Sequence, residues 1–419
     1  MRVHWEHRHG RLMLADGLVV LCAAVAASAA ADVPGPKNLA ATPLDGAVVL
    51  KWEPVGEAVE FYRIWRSDKA GERGEVIRRL KPLSRFNRRP MHGPPVDGNL
   101  VNGRTYYYTV QSEARSGGLG GFSKQVAATP VATTRVPVPR IKGTYWQIAP
   151  HSPSGYRWDN GDRDNACDFS IWQAADGTWQ LVSCIRSTKS PGKTRLFYRW
   201  EGKRITDSLW TAKGIFAEAD PNAPYCEVRG RMQAPQVFRM NGKYYMIYNS
   251  AGAHLMASDD GKTFRRTPNA TGKYQLFKCG RDIGLLDNRA VDGRWYAYWV
   301  DNKPGMHLTR STGKDLLGTW EDRGHLYHPG FFESPFVQPY RGRYYLFVPN
   351  YVVVSDDPTD FDKPVLTFME DAKNVSKAAA EILHDPKADK WYISGYGKGI
   401  YVAEFEWRAP AVTKDRDGS

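Results

Sequence analysis

The chain has 419 residues, 42% hydrophobic and 25% charged, which excludes disorder, collagen and coiled coil as the main architecture. A mean hydropathy of −0.52 excludes a membrane-embedded body. The formal charge of +13 is scattered along the whole chain, so it reads as solubility rather than as a nucleic-acid-binding face.

Residues 1–31 carry Arg2, Arg8 and Arg11, a mostly apolar run from Leu12 to Val25, and small-x-small sites at Ala27-Ser28-Ala29 and Ala29-Ala30-Ala31. This pattern predicts a signal peptide and a secreted protein, extracellular or periplasmic. The clean apolar run from Leu18 is far short of the ~20 residues a membrane span needs, so no span is expected. Export would leave Cys167, Cys184, Cys226 and Cys279 in an oxidising compartment. Cys167 and Cys184 flank the turn Ala174-Ala175-Asp176-Gly177, and a hairpin there brings them together. A bridge between them is expected; two free buried thiols are the other reading. The spacings do not resemble a zinc site.

From 34 to 130, short runs such as Val48–Trp52, Tyr62–Arg66 and Thr105–Val110 alternate with turn signals, the rhythm of an all-β sandwich. Leu100-x-x-Gly103-x-x-Tyr106 reads as a tyrosine corner, in which the phenol closes the bend before a strand. With the opening Pro36-Lys37-Asn38-Leu39, Trp52 and the closing Ala128-Thr129-Pro130, the stretch resembles a fibronectin type III domain. That resemblance implies a spacing or docking module with no chemistry of its own. Arg78, Arg79, Lys81, Arg85, Arg88 and Arg89 form an acid-free stretch that reads as a solvated loop. Residues 131–139, rich in Pro and Thr, predict an extended linker.

Between 140 and 408 one hairpin recurs five times: Asp176-Gly177-Thr178-Trp179, Asn241-Gly242-Lys243-Tyr244, Asp292-Gly293-Arg294-Trp295, Arg341-Gly342-Arg343-Tyr344 and Ala388-Asp389-Lys390-Trp391. The first interval is 65 residues and the next three are 51, 49 and 47. Each copy is a turn opening a strand, and five β units of this length predict a five-bladed β-propeller. Residues 409–419 read as a tail.

The first strand of a propeller blade lines the central channel, so residues at one fixed distance before each turn face the axis. Nine back from Gly177, Gly242 and Gly342 stand Asp168, Gln233 and Glu333. With a third loop two residues longer, Asp282 takes the equivalent place before Gly293, and in the fifth copy Ala378 does. Three carboxylates meeting at one channel mouth raise each other's proton affinity, which suits the acid and base of glycosidic hydrolysis.

On these residues the stretch from Thr144 to Trp407 resembles five-bladed propeller glycoside hydrolases of family 43. Asp168-Phe169-Ser170, Gln233-Ala234-Pro235-Gln236-Val237, Arg281-Asp282-Ile283, Glu333-Ser334-Pro335 and Ala380-Glu381-Ile382 stand where that family has its motif segments. The resemblance implies Asp168 as general base, Glu333 as general acid and Asp282 as the acid's orienting partner. Ile283 and Ser334 depart from the family's Pro and Gly. Ala378 stands where many members have a His that helps hold an axial calcium or other cation, so no metal and no required cofactor is expected. His384 reads as a surface residue and Glu381 as a structural acid. Trp158, Trp172, Gln233, Phe331 and Phe332 lie close enough in sequence to the acids to contact sugar.

The expected function is hydrolysis of O-glycosidic bonds in a polysaccharide or oligosaccharide, by an inverting acid/base mechanism, in a monomer whose partner is carbohydrate and not nucleic acid. A catalytically silent sugar-binding propeller is the alternative. A sialidase is a further one: Ser258-Asp259-Asp260-Gly261-Lys262-Thr263-Phe264 faintly resembles an Asp-box, but occurs once.

Overall fold

The computed structural model describes residues 33–53, 55–56, 58–80, 95–98, 100–132, 136–151, 166–186, 188, 195–301, 306–326, 333–348, 351–361, 365–366 and 379–409. The expected signal peptide, Trp158, Phe331, Phe332 and Ala378 lie outside them, as do all but the first residue of the tail.

The N-terminal part contains β1 (Lys37–Leu44), β2 (Ala47–Glu53), β3 (Val59–Ser67), β4 (Glu75–Leu80), β5 (Val96–Asp97), β6 (Tyr106–Ala114), β7 (Leu119–Phe122) and β8 (Val126–Ala128). They form two antiparallel sheets, β1-β2-β5 and β4-β3-β6-β7, with β8 also paired to β6. Alternate residues of β2, β3 and β6, among them Val48, Leu50, Tyr62, Ile64, Tyr108 and Val110, meet in one buried cluster between the sheets. The bend before β6 is closed as the sequence indicates, the Val101 N–H donating to the Tyr106 hydroxyl at 3.1 Å. Arg78 and Arg79 are not in a loop. Both lie on β4, where Arg79 joins Arg63 on the buried Glu113 carboxylate.

The second part opens with β9 (Val138–Pro150), whose first residues fall within the stretch read as a linker. Five antiparallel sheets follow. The first holds β10 (Ala166–Gln173), β11 (Trp179–Ile185), β12 (Leu196–Gly202) and β13 (Thr211–Ala217). The second holds β14 (Gln233–Met240), β15 (Lys243–Asn249), β16 (Ala253–Ser258), β17 (Arg265–Arg266) and β18 (Gln275–Phe277). The third holds β19 (Arg281–Asp287), then, after the short α1 (Arg289–Asp292), β20 (Trp295–Val300), β21 (Met306–Ser311) and β22 (Trp320–Leu326). The fourth holds β23 (Phe336–Tyr340), β24 (Arg343–Val348), β25 (Tyr351–Ser355) and β26 (Val365–Leu366). The fifth joins β27 (Ile382–Asp385), β28 (Lys390–Gly397) and β29 (Gly399–Arg408) to β9, so the first and last strands of this part share one sheet.

All five sequence repeats fall at the turn between the first and second strands of a sheet. In the second and fourth, Asn241-Gly242 and Arg341-Gly342 make two-residue turns with positive φ at both positions, as the twist of an antiparallel pair demands. The third turn is instead the loop that contains α1.

The two parts are fastened at Asp45, in the β1–β2 turn. Its carboxylate, 2% exposed, accepts hydrogen bonds from Arg408 on β29 at 2.7 Å and from Asn102 at 3.0 Å, and lies 3.6 Å from Arg140 on β9. Asp45→Ala leaves these donors facing an apolar gap, and we expect a loss of about 1–3 kcal/mol in denaturant unfolding, discounted because Arg408 can reach water.

Candidate active site

The first strands of the five sheets converge on one narrow channel. Asp168 with Phe169, Pro235 with Gln236, Asp282 with Gly284, Ser334 with Pro335 and Ala380 with Glu381 line an opening of about 30 Å³. Inner strands this close leave backbone groups that neighbouring sheets must satisfy. The Val237 N–H donates to Ser170 Oγ at 2.9 Å. The Gln236 amide accepts from the Leu285 N–H and donates to the Leu285 carbonyl. The Ile171 N–H donates to Glu381 Oε2 at 3.0 Å. Gly284 has no substitute there, since a Cβ would come within 1.9 Å of the Pro335 carbonyl oxygen.

At the channel mouth four sheets carry the same backbone feature. Ala234, Asp282, Ser334 and Ala379 all have φ between 46° and 58°, a conformation unusual for residues with a Cβ. Next to these kinks the pairing skips, between Gln233 and Gln236 and between Arg281 and Gly284. In the first sheet the skip falls at Asp168, between Cys167 and Phe169. Such bulges re-aim side chains, here toward the mouth.

This frame corrects the register read from sequence. Gln233 and Glu333 each precede the kinked residue, and in the third sheet that place belongs to Arg281, not Asp282. Asp282 is the kinked residue itself, equivalent to Ala234 and Ser334. Arg281 stands twelve residues before Gly293, against nine from Gln233 to Gly242, so the stretch with α1 adds three residues where the sequence count allows two. Asp282 is therefore buried, whereas Glu333 keeps 36% of its side chain exposed.

The three acids still meet. Arg281 Nη1 donates to Asp282 Oδ2 at 2.5 Å and to Glu333 Oε1 at 3.0 Å, so one guanidinium nitrogen is shared between two carboxyls. The Ser334 hydroxyl donates to Asp168 Oδ1 at 3.4 Å. Burial pushes the Asp282 carboxyl up to about 7, the Asp168 charge adds to this, and Arg281 opposes it. The field of Asp168 thus reaches Asp282; burial lowers the Arg281 guanidinium, but Asp282, Glu333 and then Asp168 outweigh it and keep it raised.

Other groups at the mouth were not legible in the sequence. Arg195 is close enough to hold Asp282 down, and Arg186 lies within the field of Asp168. The Tyr396 phenol is pushed up by burial and by the Asp168 charge. Only their distance from the motif segments in the chain hid them.

Cys167 and Cys184 stand directly opposite each other on β10 and β11, as the hairpin requires, but as thiols rather than as the expected bridge. Cys167 points its thiol at the Cys184 carbonyl 3.6 Å away. Gln233 opens β14 beside the site. Trp172 does not join the acids. It is buried between the first and second sheets, donates from Nε1 to the Gly261 carbonyl at 2.8 Å and meets Phe264 edge-on. The segment resembling an Asp-box explains that contact: Asp260 ties the Ser258, Lys262 and Thr263 groups into a closed turn that presents Gly261. His384 is at the surface, stacked on Trp391 and bonded to Asp389.

The axial cation of the resemblance does not fit the donors described. Both atoms of the Gln236 amide are spent on Leu285, and Glu381 Oε2 already accepts from the Ile171 N–H. Glu381 instead sets a pH dependence of stability. Unfolded, it ionises near 4.5; folded, it keeps its proton to about 8. Between these values the native chain holds the extra proton, so its stability falls as pH rises. Asp282 acts in the same direction between 3.8 and about 7. Glu381→Gln, which can still accept from the Ile171 N–H, is expected to flatten the decline of Tm from pH 5 to 8; an unchanged slope would contradict this.

No protein-family model and no curated protein sequence matches the chain. Among solved structures it is similar to an α-L-arabinofuranosidase from Clostridium thermocellum, at 17% identity over 60% of this chain and 96% of that one, with a TM-score of 0.42. It is similar to an exo-1,5-α-L-arabinanase from a bovine ruminal metagenomic library at 16% identity over 60% and 95%, TM-score 0.42. It is also similar to a family 117 glycoside hydrolase from the marine bacterium Zobellia galactanivorans at 15% identity over 66% and 92%, TM-score 0.43.

Proposed function

We propose that the chain is a secreted O-glycoside hydrolase of the family 43 kind, whose five sheets are the blades of a β-propeller behind a fibronectin type III-like sandwich. The observation that carries this is the meeting of Asp168 on β10, Asp282 on β19 and Glu333 just before β23, from three different sheets, at one channel mouth. Structural acids are ordinarily spread out and paired singly; three that share one field are an arrangement that stability alone disfavours.

In this reading Asp168 takes a proton from water as the water attacks the anomeric carbon, and Glu333 gives one to the departing oxygen. The mechanism is inverting, with the two carboxyl groups roughly 6.5–9.5 Å apart to leave room for that water. Asp282 is a positioning residue. The same Arg281 nitrogen that meets Glu333 also meets Asp282, so Asp282 fixes where Arg281, and through it the Glu333 carboxyl, sits. The substrate is carbohydrate, the catalytic unit lies in residues 140–408, and the protein acts as a monomer without a cofactor. The reading is tested by screening the full chain on nitrophenyl glycosides and on neutral and acidic polysaccharides beside its Asp168→Asn variant. Sugar binding without hydrolysis by the wild type would leave the silent propeller instead.

A further inference from the structure

Arg281, which meets Asp282 and Glu333, also lines a second opening. This pocket, of about 430 Å³, is lined by Arg231, Gln233, Asn249, Cys279, Arg281 and Asp301. Most of its polar groups are already engaged. Arg281 Nη1 serves Asp282 and Glu333. The Asn249 amide donates to the Gly280 carbonyl and to Cys279 Sγ. The Asp301 carboxylate lies 2.9 Å from His307 Nε2. Arg231, at the entry to β14, is exposed and forms no ion pair among the described residues.

A neutral sugar offers hydroxyls, which need no guanidinium. The planar fork of arginine matches the paired oxygens of a carboxylate or a sulfate. A glycan bearing such a group is repelled by the Asp168 carboxylate unless its charge is held away from the acids by a cation they do not engage. Arg231 meets that condition, one pocket removed from the acids, in a space of the size that small ligands occupy. The chain's overall charge of +13 favours approach of the same ligands.

We propose that this pocket binds the anionic substituent of an acidic glycan, a uronosyl carboxylate or a sulfate ester, with Arg231 as its anchoring cation. The proposal rests on the glycosidase reading and names its substrate class.

The test uses the full chain carrying Glu333→Gln, so that bound sugar persists. Calorimetric titration with oligogalacturonates, sulfated carrageenan oligosaccharides and neutral xylo- and arabino-oligosaccharides should show binding of an acidic class and weakening with added salt. Which acidic class binds decides between carboxylate and sulfate. Adding Arg231→Gln should weaken that binding about 10- to 100-fold, the scale of a charge-assisted hydrogen bond, and Arg231→Lys should recover part of it. Arg265→Gln, on the outer strand β17, should leave it unchanged. Neutral oligosaccharides binding as tightly as acidic ones, or acidic binding indifferent to Arg231→Gln, would overturn the proposal while leaving hydrolysis of neutral glycosides intact. Failure to bind any of these sugars, with no hydrolysis by the wild type, would remove the glycosidase reading together with the proposal.

Discussion

Asp168→Asn should abolish hydrolysis of every glycoside the wild type cleaves, whatever its leaving group. The amide keeps the shape of the carboxylate, and its oxygen can still accept the Ser334 hydroxyl, so the bulge at the start of β10 should survive. What it cannot do is take a proton from water. Water must be activated for both good and poor leaving groups, so kcat/KM should fall by at least the ~10²–10⁴ typical of a lost general base. The loss should appear in kcat with little change in KM, since the amide removes no contact made equally in the ground and transition states. Near-normal turnover by a folded Asp168→Asn chain, with circular dichroism unchanged, would end the mechanism.

Glu333→Gln should behave differently. Natural glycosides leave as poor alkoxides and need a proton, whereas an activated aryl glycoside departs nearly unaided. The variant should therefore lose about 10²–10⁴ in kcat/KM on an oligosaccharide and much less on a dinitrophenyl glycoside. The side chain stays long enough to meet Arg281, so the Arg281–Asp282 pair should remain in place. Equal losses on both substrates would remove Glu333 from the role of acid.

The sheets were legible in the sequence because their turns leave a chemical mark. Asn241-Gly242 and Arg341-Gly342 hold backbone angles that few other pairs adopt, and the aromatics that follow, Tyr244 and Tyr344 with Tyr345, are buried at the starts of second strands. The third turn carries α1 and no such mark beyond Gly293, and there the count slipped by one residue. The slip shows what periodicity cannot supply: Arg281, not Asp282, shares the register of Glu333, and the bridge between them depends on a kink that no residue type announces. Trp172 departs from the sequence expectation for a related reason. It lies four residues beyond Asp168 on the same strand, and at strand rise that carries it roughly 13 Å from the mouth and into packing. The fastening at Asp45 joins residues far apart in the chain, and nothing local in the β1–β2 turn points to Arg408.

The central claim is that water, activated by one carboxylate, displaces a glycosidic oxygen protonated by another across the channel mouth. Proton NMR of the first-formed anomer, recorded before mutarotation on a substrate found by the screen, tests it most directly. The account predicts a product of inverted configuration, formed by the wild type and not by Asp168→Asn. A retained anomer, or an inverted one produced equally by the Asp168→Asn chain, would contradict it.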